Sequence, residues 1–411
     1  MCGMVNAPIK GIMDMQLIIF DDQFRSNFFP LTLNRSTSSL RCGILKLRQR
    51  LESLFAGLDD FIVQIDPLLV PLYHERHEEW LINTTPRSEK LYVNSRLKLE
   101  EEAIKLISNL SSESGLLCCG KLVAAKTTTQ LDINNPKGIK LSESSIQLYT
   151  CLSDLIHDNS RMIEWDFQHF FYEKDNFFET EPGVTVLHPY NVWIAEEVTL
   201  SPGVVLDAST GPIVLDRGAR VMANAVLCGP LYLGKNCVVK IGAKLYGGSS
   251  FGAVCKVGGE IEGSIFQAYS NKQHDGFLGH SYIGEWVNIG ADTNNSDLKN
   301  TYKNVSYYSY TTQSKQDSGT QFLGCVIGDH SKTGINCSIN TGAVIGLGCN
   351  LWGRALINDF MPDFSWGEAD SLSPYRLEAF YQTAAIVKQR RNLSLTPIEQ
   401  QLYLHINKLG D

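Results

Sequence analysis

Two histidines stand six residues apart in the segment Ser270-Asn271-Lys272-Gln273-His274-Asp275-Gly276-Phe277-Leu278-Gly279-His280. Imidazole titrates nearest neutral pH, so it is the usual side chain for taking a proton from an attacking amine or hydroxyl. Acyl transfer from a thioester has that need. It requires no metal, only a base, positioning, and a backbone N–H for the developing oxyanion. His274 is the first candidate and His280 the second; the plainer reading of either is a hydrogen bond within a turn. Nearby, Asn271, Lys272, Asn294, Asn295, Asp297 and Lys299 carry groups able to bind sugar hydroxyls and phosphate. Equally, such residues satisfy the backbone of long, non-repetitive loops. Tyr302, Tyr307, Tyr308 and Tyr310 read as braces for such a loop.

The elements that must position these residues are read from a repeat. Leu215, Val221, Leu227, Leu233, Val239, Leu245, Phe251 and Val257 are apolar at a strict six-residue spacing. Ile194, Leu200 and Leu206 precede them, offset by three residues, and Phe277, Ile283 and Ile289 resume the count. Ile327, Thr333, Ile339, Ile345 and Leu351 complete it, with Thr333 the one polar member. Four residues after each aliphatic the chain is often small, as at Ala219, Ala225, Cys237, Ala243, Cys255, Cys337 and Cys349. This period fits a β-solenoid of short strands and tight corners, and no helical period fits it. Four of the eleven cysteines are thereby expected as small buried apolar groups in a reduced protein. Two stretches, 258–276 and 291–326, break the count and are expected as functional loops extruded from the coil. Residues 377–388 and 397–408 read as helices closing its end.

The preceding half has a different rhythm. Strands are expected at 17–20, 61–63 and 116–118, with helices over 43–55 and 97–110 and a helical bridge within 141–172. This alternation predicts an α/β domain with a largely parallel sheet. A length of 411 residues accommodates both domains. A net charge of −8 without any basic run excludes broad binding to nucleic acid or anionic membranes. No apolar stretch spans a bilayer, and residues 1–14 lack the apolar core of a signal peptide, which predicts a cytoplasmic protein. Those fourteen residues are expected as a mobile extension or a misassigned start.

Residues 274–293 resemble a known signature. His274, Phe277-Leu278-Gly279 and Ile283-Gly284-Glu285-Trp286-Val287-Asn288-Ile289-Gly290-Ala291 are similar to the acetyltransferase region of the bifunctional N-acetylglucosamine-1-phosphate uridyltransferase/glucosamine-1-phosphate acetyltransferase family. The likeness is closer to its divergent, UDP-N-acetylglucosamine pyrophosphorylase-like branch. That branch carries the strings at 269–272, 274–280, 293–300, 328–336 and 364–367. Asp292 departs from the pattern, standing where the family has Gly. The N-terminal half lacks the family's Gly-rich phosphate loop. Instead, Asn34-Arg35-Ser36 and Leu40-Arg41-Cys42-Gly43-Ile44-Leu45-Lys46-Leu47-Arg48 resemble a segment of the divergent branch, as do Asn94-Ser95-Arg96.

The resemblance implies a nucleotidyltransferase-like (Rossmann-like) α/β domain over 15–180, helical linker included. A left-handed parallel β-helix of hexapeptide repeats follows over 183–367, with C-terminal helices over 368–411. It implies His274 as general base and Asn288 among the substrate ligands, with His330 and Lys332 toward acetyl-CoA. Arg35, Arg41, Lys46, Asn94 and Arg96 fall to nucleotide phosphates. The expected reaction passes an acetyl group from acetyl-CoA to glucosamine 1-phosphate, then couples UTP to the product to make UDP-N-acetylglucosamine or a relative. Mg²⁺ and UTP enter if the N-terminal domain is active; the metal ligands are not assigned. A homotrimer is implied by analogy. Two alternatives stand beside this: a nucleotidyltransferase with a non-catalytic β-helix, and an inactive scaffold or sensor.

Overall fold

A computed structural model describes residues 15–409, apart from 57, 59–60, 87–88, 173, 175 and 177. The expectation for residues 1–14 lies outside the described residues. The chain divides into two compact units. The first comprises residues up to Phe28 together with Asn34–Leu40 and Leu45–Cys151. The second comprises Phe29–Leu33, Arg41–Ile44 and Leu152–Asp411.

The first unit is built on a seven-stranded sheet. Its strands are β1 (Met15–Phe20), β2 (Phe61–Gln64), β3 (Leu81–Ile82), β4 (Glu89–Asn94), β5 (Ser114–Cys118), β6 (Lys121–Thr127) and β7 (Lys140–Glu143). Their order is β3-β2-β1-β4-β6-β5-β7. β1 pairs in parallel with both β2 and β4 and is buried along its whole length, as an apolar run covered on both faces must be. The sheet is mixed, because β6 runs antiparallel to β4 and β5. Helix α1 (Leu47–Leu54) starts four residues later than its apolar pattern suggests. Helices α2 (Val70–Arg76) and α3 (Glu101–Ser108) complete the layer. α3 is shorter than 97–110 because Leu97 is bridged to Leu148 and Lys98 bonds to Gln147.

The second unit is a parallel β-helix with three faces. Ile213 pairs with Leu231 and Leu231 with Ser249 on one face, Val205 with Val226 on another, and Thr199 with Arg220 on the third. Three six-residue repeats make one turn. The periodic aliphatics fill a single interior, where Leu215, Leu227, Leu233, Val239 and Leu351 are wholly buried. Cys237, Cys255, Cys337 and Cys349 lie there as free thiols, and burial pushes the Cys349 thiol up to about 12. Thr333 keeps its interior position by accepting a hydrogen bond from the Gly290 N–H at 3.1 Å.

The two breaks in the count differ. Over 258–276 nothing leaves the coil: Ser250 pairs with Ile265 and Lys256 with Asn271, so this turn is merely short. The expected loop is instead a tight corner. The later break does leave the coil, as an antiparallel hairpin, Ser306–Ser309 with Ser314–Asp317, before Val326 pairs with Tyr282. Tyr308 stacks on Phe360 at 4.0 Å, and the Tyr310 hydroxyl donates to Asp363, so these tyrosines do brace it.

Helix α4 (Leu152–Phe170), expected as a bridge, groups by its contacts with the second unit. Asn159 donates to the Gly248 carbonyl and accepts from the Gly43 N–H, while Asp166 accepts from the Ile44 N–H. Gly43 has φ 86°, and a Cβ there would meet Asp166 Oδ2 at 2.6 Å and Met162 backbone at 2.8 Å. These bonds hold 43–44 out of the helix, so α1 begins only at Leu47. Helices α5 (Leu377–Gln389) and α6 (Pro397–Leu409) cap the coil and are joined by the buried Lys388–Glu399 ion pair.

Candidate active site

His274 sits at the corner between the strands Asn271–Lys272 and Phe277–Gly279. Its ring is exposed. The corner is rigid because Lys272, whose side chain turns inward, donates from Nζ to the carbonyls of His274 (2.8 Å), Asp275 (3.4 Å) and Gly258 (3.5 Å). Burial holds this ammonium down to about 8, with Asp275 and Asp292 pulling the other way. Gly276, at φ 111°, passes so close to the next turn that a Cβ would lie 2.3 Å from the Thr293 carbonyl. Asp292 bonds through its N–H to the Asp275 carbonyl and has φ 58°, a left-handed value that Asp tolerates better than most residues. Its side chain is exposed beside the same corner.

The polar residues expected to bind substrate divide by what they touch. Asn294 accepts from the Phe277 N–H at 2.7 Å, and Asn295 makes reciprocal bonds with the Gly279 backbone. Both therefore fix the strand that follows His274. Lys299 donates to the Asn304 carbonyl within its own loop. Asp297 binds the other histidine: its Oδ2 lies 2.8 Å from His280 Nδ1. This pairing orients the imidazole, and His157 and Phe322 pack on it. Lys272, Asn294, Asn295, Lys299 and Asp297 are thus engaged by the protein itself.

Asn271, Asn288 and Lys332 stand elsewhere, as successive outward rungs on one face of the β-helix. With Lys256, Tyr269, Gln273, Trp286, Val387, Arg390 and Arg391 they line a cavity of about 300 Å³. His330 does not reach it as a surface ligand; it is buried against Phe380 and Tyr403 of the cap. Lys256 could have been found from the repeat, since it precedes Val257 as Asn271 precedes Lys272. Arg390 and Arg391 could not, because no spacing ties a cap helix to a coil.

In the first unit the residues assigned to nucleotide phosphates are only partly together. Arg96 forms a two-pronged ion pair with Asp22, its Nε 3.0 Å from Oδ1, and also donates to the Tyr149 carbonyl. Asn94 donates to Asp22 and to the Leu122 carbonyl. Arg35 is buried, and the Lys46 N–H donates to Gln49 Oε1 at the start of α1. Arg41 groups with the second unit, where its guanidinium lies 5.0 Å from the Tyr232 ring centre. Asp21 accepts from Ser95 and from the Thr37 N–H, and burial raises its pKa. With both carboxylates at the head of β1 so occupied, this arrangement does not fit Mg²⁺, and the described residues contain no other cluster suited to a metal.

Residues 17–174 match the sugar nucleotidyl transferase family model. The bifunctional protein GlmU of Synechococcus elongatus is 28% identical over 205 residues, covering 44% of this chain and 40% of that protein. Parts of the chain are thus similar to a sugar nucleotidyl transferase and to GlmU proteins. A second GlmU, from a Synechococcus species, is 22% identical over 286 residues, or 63% of this chain and 59% of its own. A bifunctional sugar-1-phosphate nucleotidylyltransferase/acetyltransferase of Sulfurisphaera tokodaii is 34% identical over 110 residues, 26% of each chain. The similarity thus spans a quarter to three-fifths of these GlmU-like relatives. Among the described residues no helix is long and apolar enough to cross a membrane.

Proposed function

We propose that this GlmU-like protein is a transferase of nucleotide-sugar synthesis whose β-helix moves an acetyl group from acetyl-CoA to the amine of a sugar phosphate, with glucosamine 1-phosphate the first acceptor to test. One observation carries the reading: an exposed imidazole, His274, on a corner clamped from below by Lys272. A base must be accessible to substrate and held still, and this corner supplies both. The amine attacks the thioester carbon, and His274 Nε2 or Nδ1 takes the proton that the nitrogen sheds. The carbonyl electrons go to oxygen and return as the C–S bond breaks. The proton on the imidazolium then neutralises the departing CoA thiolate.

Coupling of the acetylated sugar phosphate to UTP rests on the family match of residues 17–174. Asp22 and Arg96 fill the head of that sheet with a mutual ion pair, so no residue there is assigned a chemical step. Assembly as a homotrimer in the cytoplasm belongs to the same proposal. The decisive experiment follows CoA thiol release from acetyl-CoA with glucosamine 1-phosphate, comparing wild type with His274→Ala. A loss of about 10²-fold or more, the range for a missing general base, supports the reading. Turnover that His274→Ala leaves intact would refute it.

A further inference from the structure

Acyl transfer at His274 leaves His280, at the far end of strand Phe277–Gly279, without a task. His280 takes a left-handed corner, φ 42°, and lays its ring across Gly263 of the preceding turn. A Cβ on that glycine would meet His280 Cδ2 at 3.0 Å and Nε2 at 3.1 Å. Asp297 holds Nδ1 at 2.8 Å, and both side chains are largely covered, at 23% and 14% exposure. His157 of α4 stacks on the same imidazole, ring centres 6.2 Å apart and planes 29° from parallel. The Phe322 ring lies at 5.4 Å.

These four residues come from three elements: α4, the coil, and the two ends of the excursion over 291–326. The ends close on each other here. Leu298 is bridged to Phe322, the Leu323 N–H donates to the Asp297 carbonyl at 2.9 Å, and the Gly324 N–H donates to the His280 carbonyl at 2.8 Å. Asn294 and Asn295, early in the same excursion, bond the strand between the two histidines. A change at His280 therefore reaches the strand behind His274 through a few bonds.

Charge decides whether this cluster holds. The Asp297 carboxylate can neutralise one proton. A second would stack two imidazolium rings beside that single partner, and like charges so close repel. His157 is exposed on α4, yet partial burial of its ring and then His280 lower its pKa, against the pull of Asp154 and the Phe322 carbonyl.

We propose that His157, His280 and Asp297 form a proton-controlled latch that clasps the ends of the 291–326 excursion between the coil and α4. The latch is closed with at most one imidazole charged, and a second proton releases it. His280 is thereby a positioning residue rather than a second base. Release loosens Asn294 and Asn295, and with them the strand that follows the His274 corner. That last step rests on the acyl-transfer reading. The latch itself does not.

The test is hydrogen exchange of the full chain, followed by mass spectrometry at about pH 7.5 and about pH 5.5, on either side of the usual His range. Rates are corrected for the intrinsic effect of pH, and wild type is compared with His157→Phe. Because His157 is exposed, this substitution leaves the core untouched. In wild type, peptides containing Leu323 and Gly324 should lose about tenfold in protection at the lower pH, the change for a pKa one unit apart between closed and open states. His157→Phe keeps a ring for the stack without its charge, so its protection should not depend on pH. A wild type without the loss, or a His157→Phe with the same loss, would overturn the latch. In the acetyl-transfer assay, the acid limb of kcat should lie at lower pH for His157→Phe than for wild type. Coincident limbs would overturn the coupling to His274. His274→Ala should exchange like wild type while losing turnover, so failure of the acetyl-transfer reading leaves the exchange result to decide the latch.

Discussion

Lys272 Nζ donates to the carbonyl of His274 from 2.8 Å away, two residues along the chain and facing into the coil. The residue beneath the candidate base is therefore a buried cation held by backbone oxygens. Burial lowers its pKa to about 8. Below that pH the folded and unfolded chains both carry the proton, and folding bears the full desolvation cost. Between about 8 and the usual Lys value near 10.4, the folded protein loses the proton first, so stability rises with pH. Thermal unfolding of wild type and Lys272→Met across that window should show wild type gaining on the variant by about 1 kcal/mol or more. A constant difference would contradict this account.

Asp363 should act in the opposite sense at lower pH. It accepts from the Tyr310 hydroxyl and the Leu347 N–H, yet burial still raises its pKa to about 6. A carboxyl raised in the folded state contributes stability below about pH 4 that is lost as pH rises through 6. Denaturant titrations should show wild type losing stability over this interval relative to Asp363→Asn. Parallel curves for the two proteins would count against it.

Asp292 occupies a left-handed corner, at a position where the pattern it resembles has Gly. Asp292→Gly should not lower stability by more than a few tenths of a kcal/mol, since Gly adopts φ near 58° freely. Removing this carboxylate from beside His274 should lower KM for glucosamine 1-phosphate several-fold at low salt, less so at high salt. An unchanged KM at both salt concentrations would show that the charge does not oppose the acceptor.

The Asp22–Arg96 pair invites a double-mutant cycle. Both side chains are nearly inaccessible, at 8% and 1% exposure. Arg96→Met leaves a buried carboxylate unpaired and should cost about 3–5 kcal/mol by urea unfolding, whereas Arg96→Met with Asp22→Leu should cost clearly less. A double variant whose cost equals the sum of those of Arg96→Met and Asp22→Leu alone would mean that the two charges act independently.

Much of this was legible in residues alone. The six-residue period fixed the β-helix and placed the cysteines inside it, since a repeating coil has one interior and each sixth residue must enter it. The string around His274 marked the candidate base, because its neighbours are local in sequence. The positions of the inward and outward residues near the short turn were not legible. Lys272 reads from sequence as a ligand for sugar or phosphate or as a loop residue satisfying backbone groups, yet the short turn over 258–276 pairs it with the interior Val257, and it takes that inward position with backbone carbonyls as its partners.

Sequence by itself thus determined the periodic coil, its capping helices, the α/β alternation before it and the histidine at the corner. All of these depend on residues near one another in the chain. Only tertiary structure decided that Asp297 serves His280, that Asp22 neutralises Arg96, and that Arg390 and Arg391 meet Lys256 and Lys332 around one cavity. Each of these pairings joins residues separated by at least one full turn of fold. Charge and hydrogen bonding act through space, and no local spacing records which distant partner a polar side chain will find.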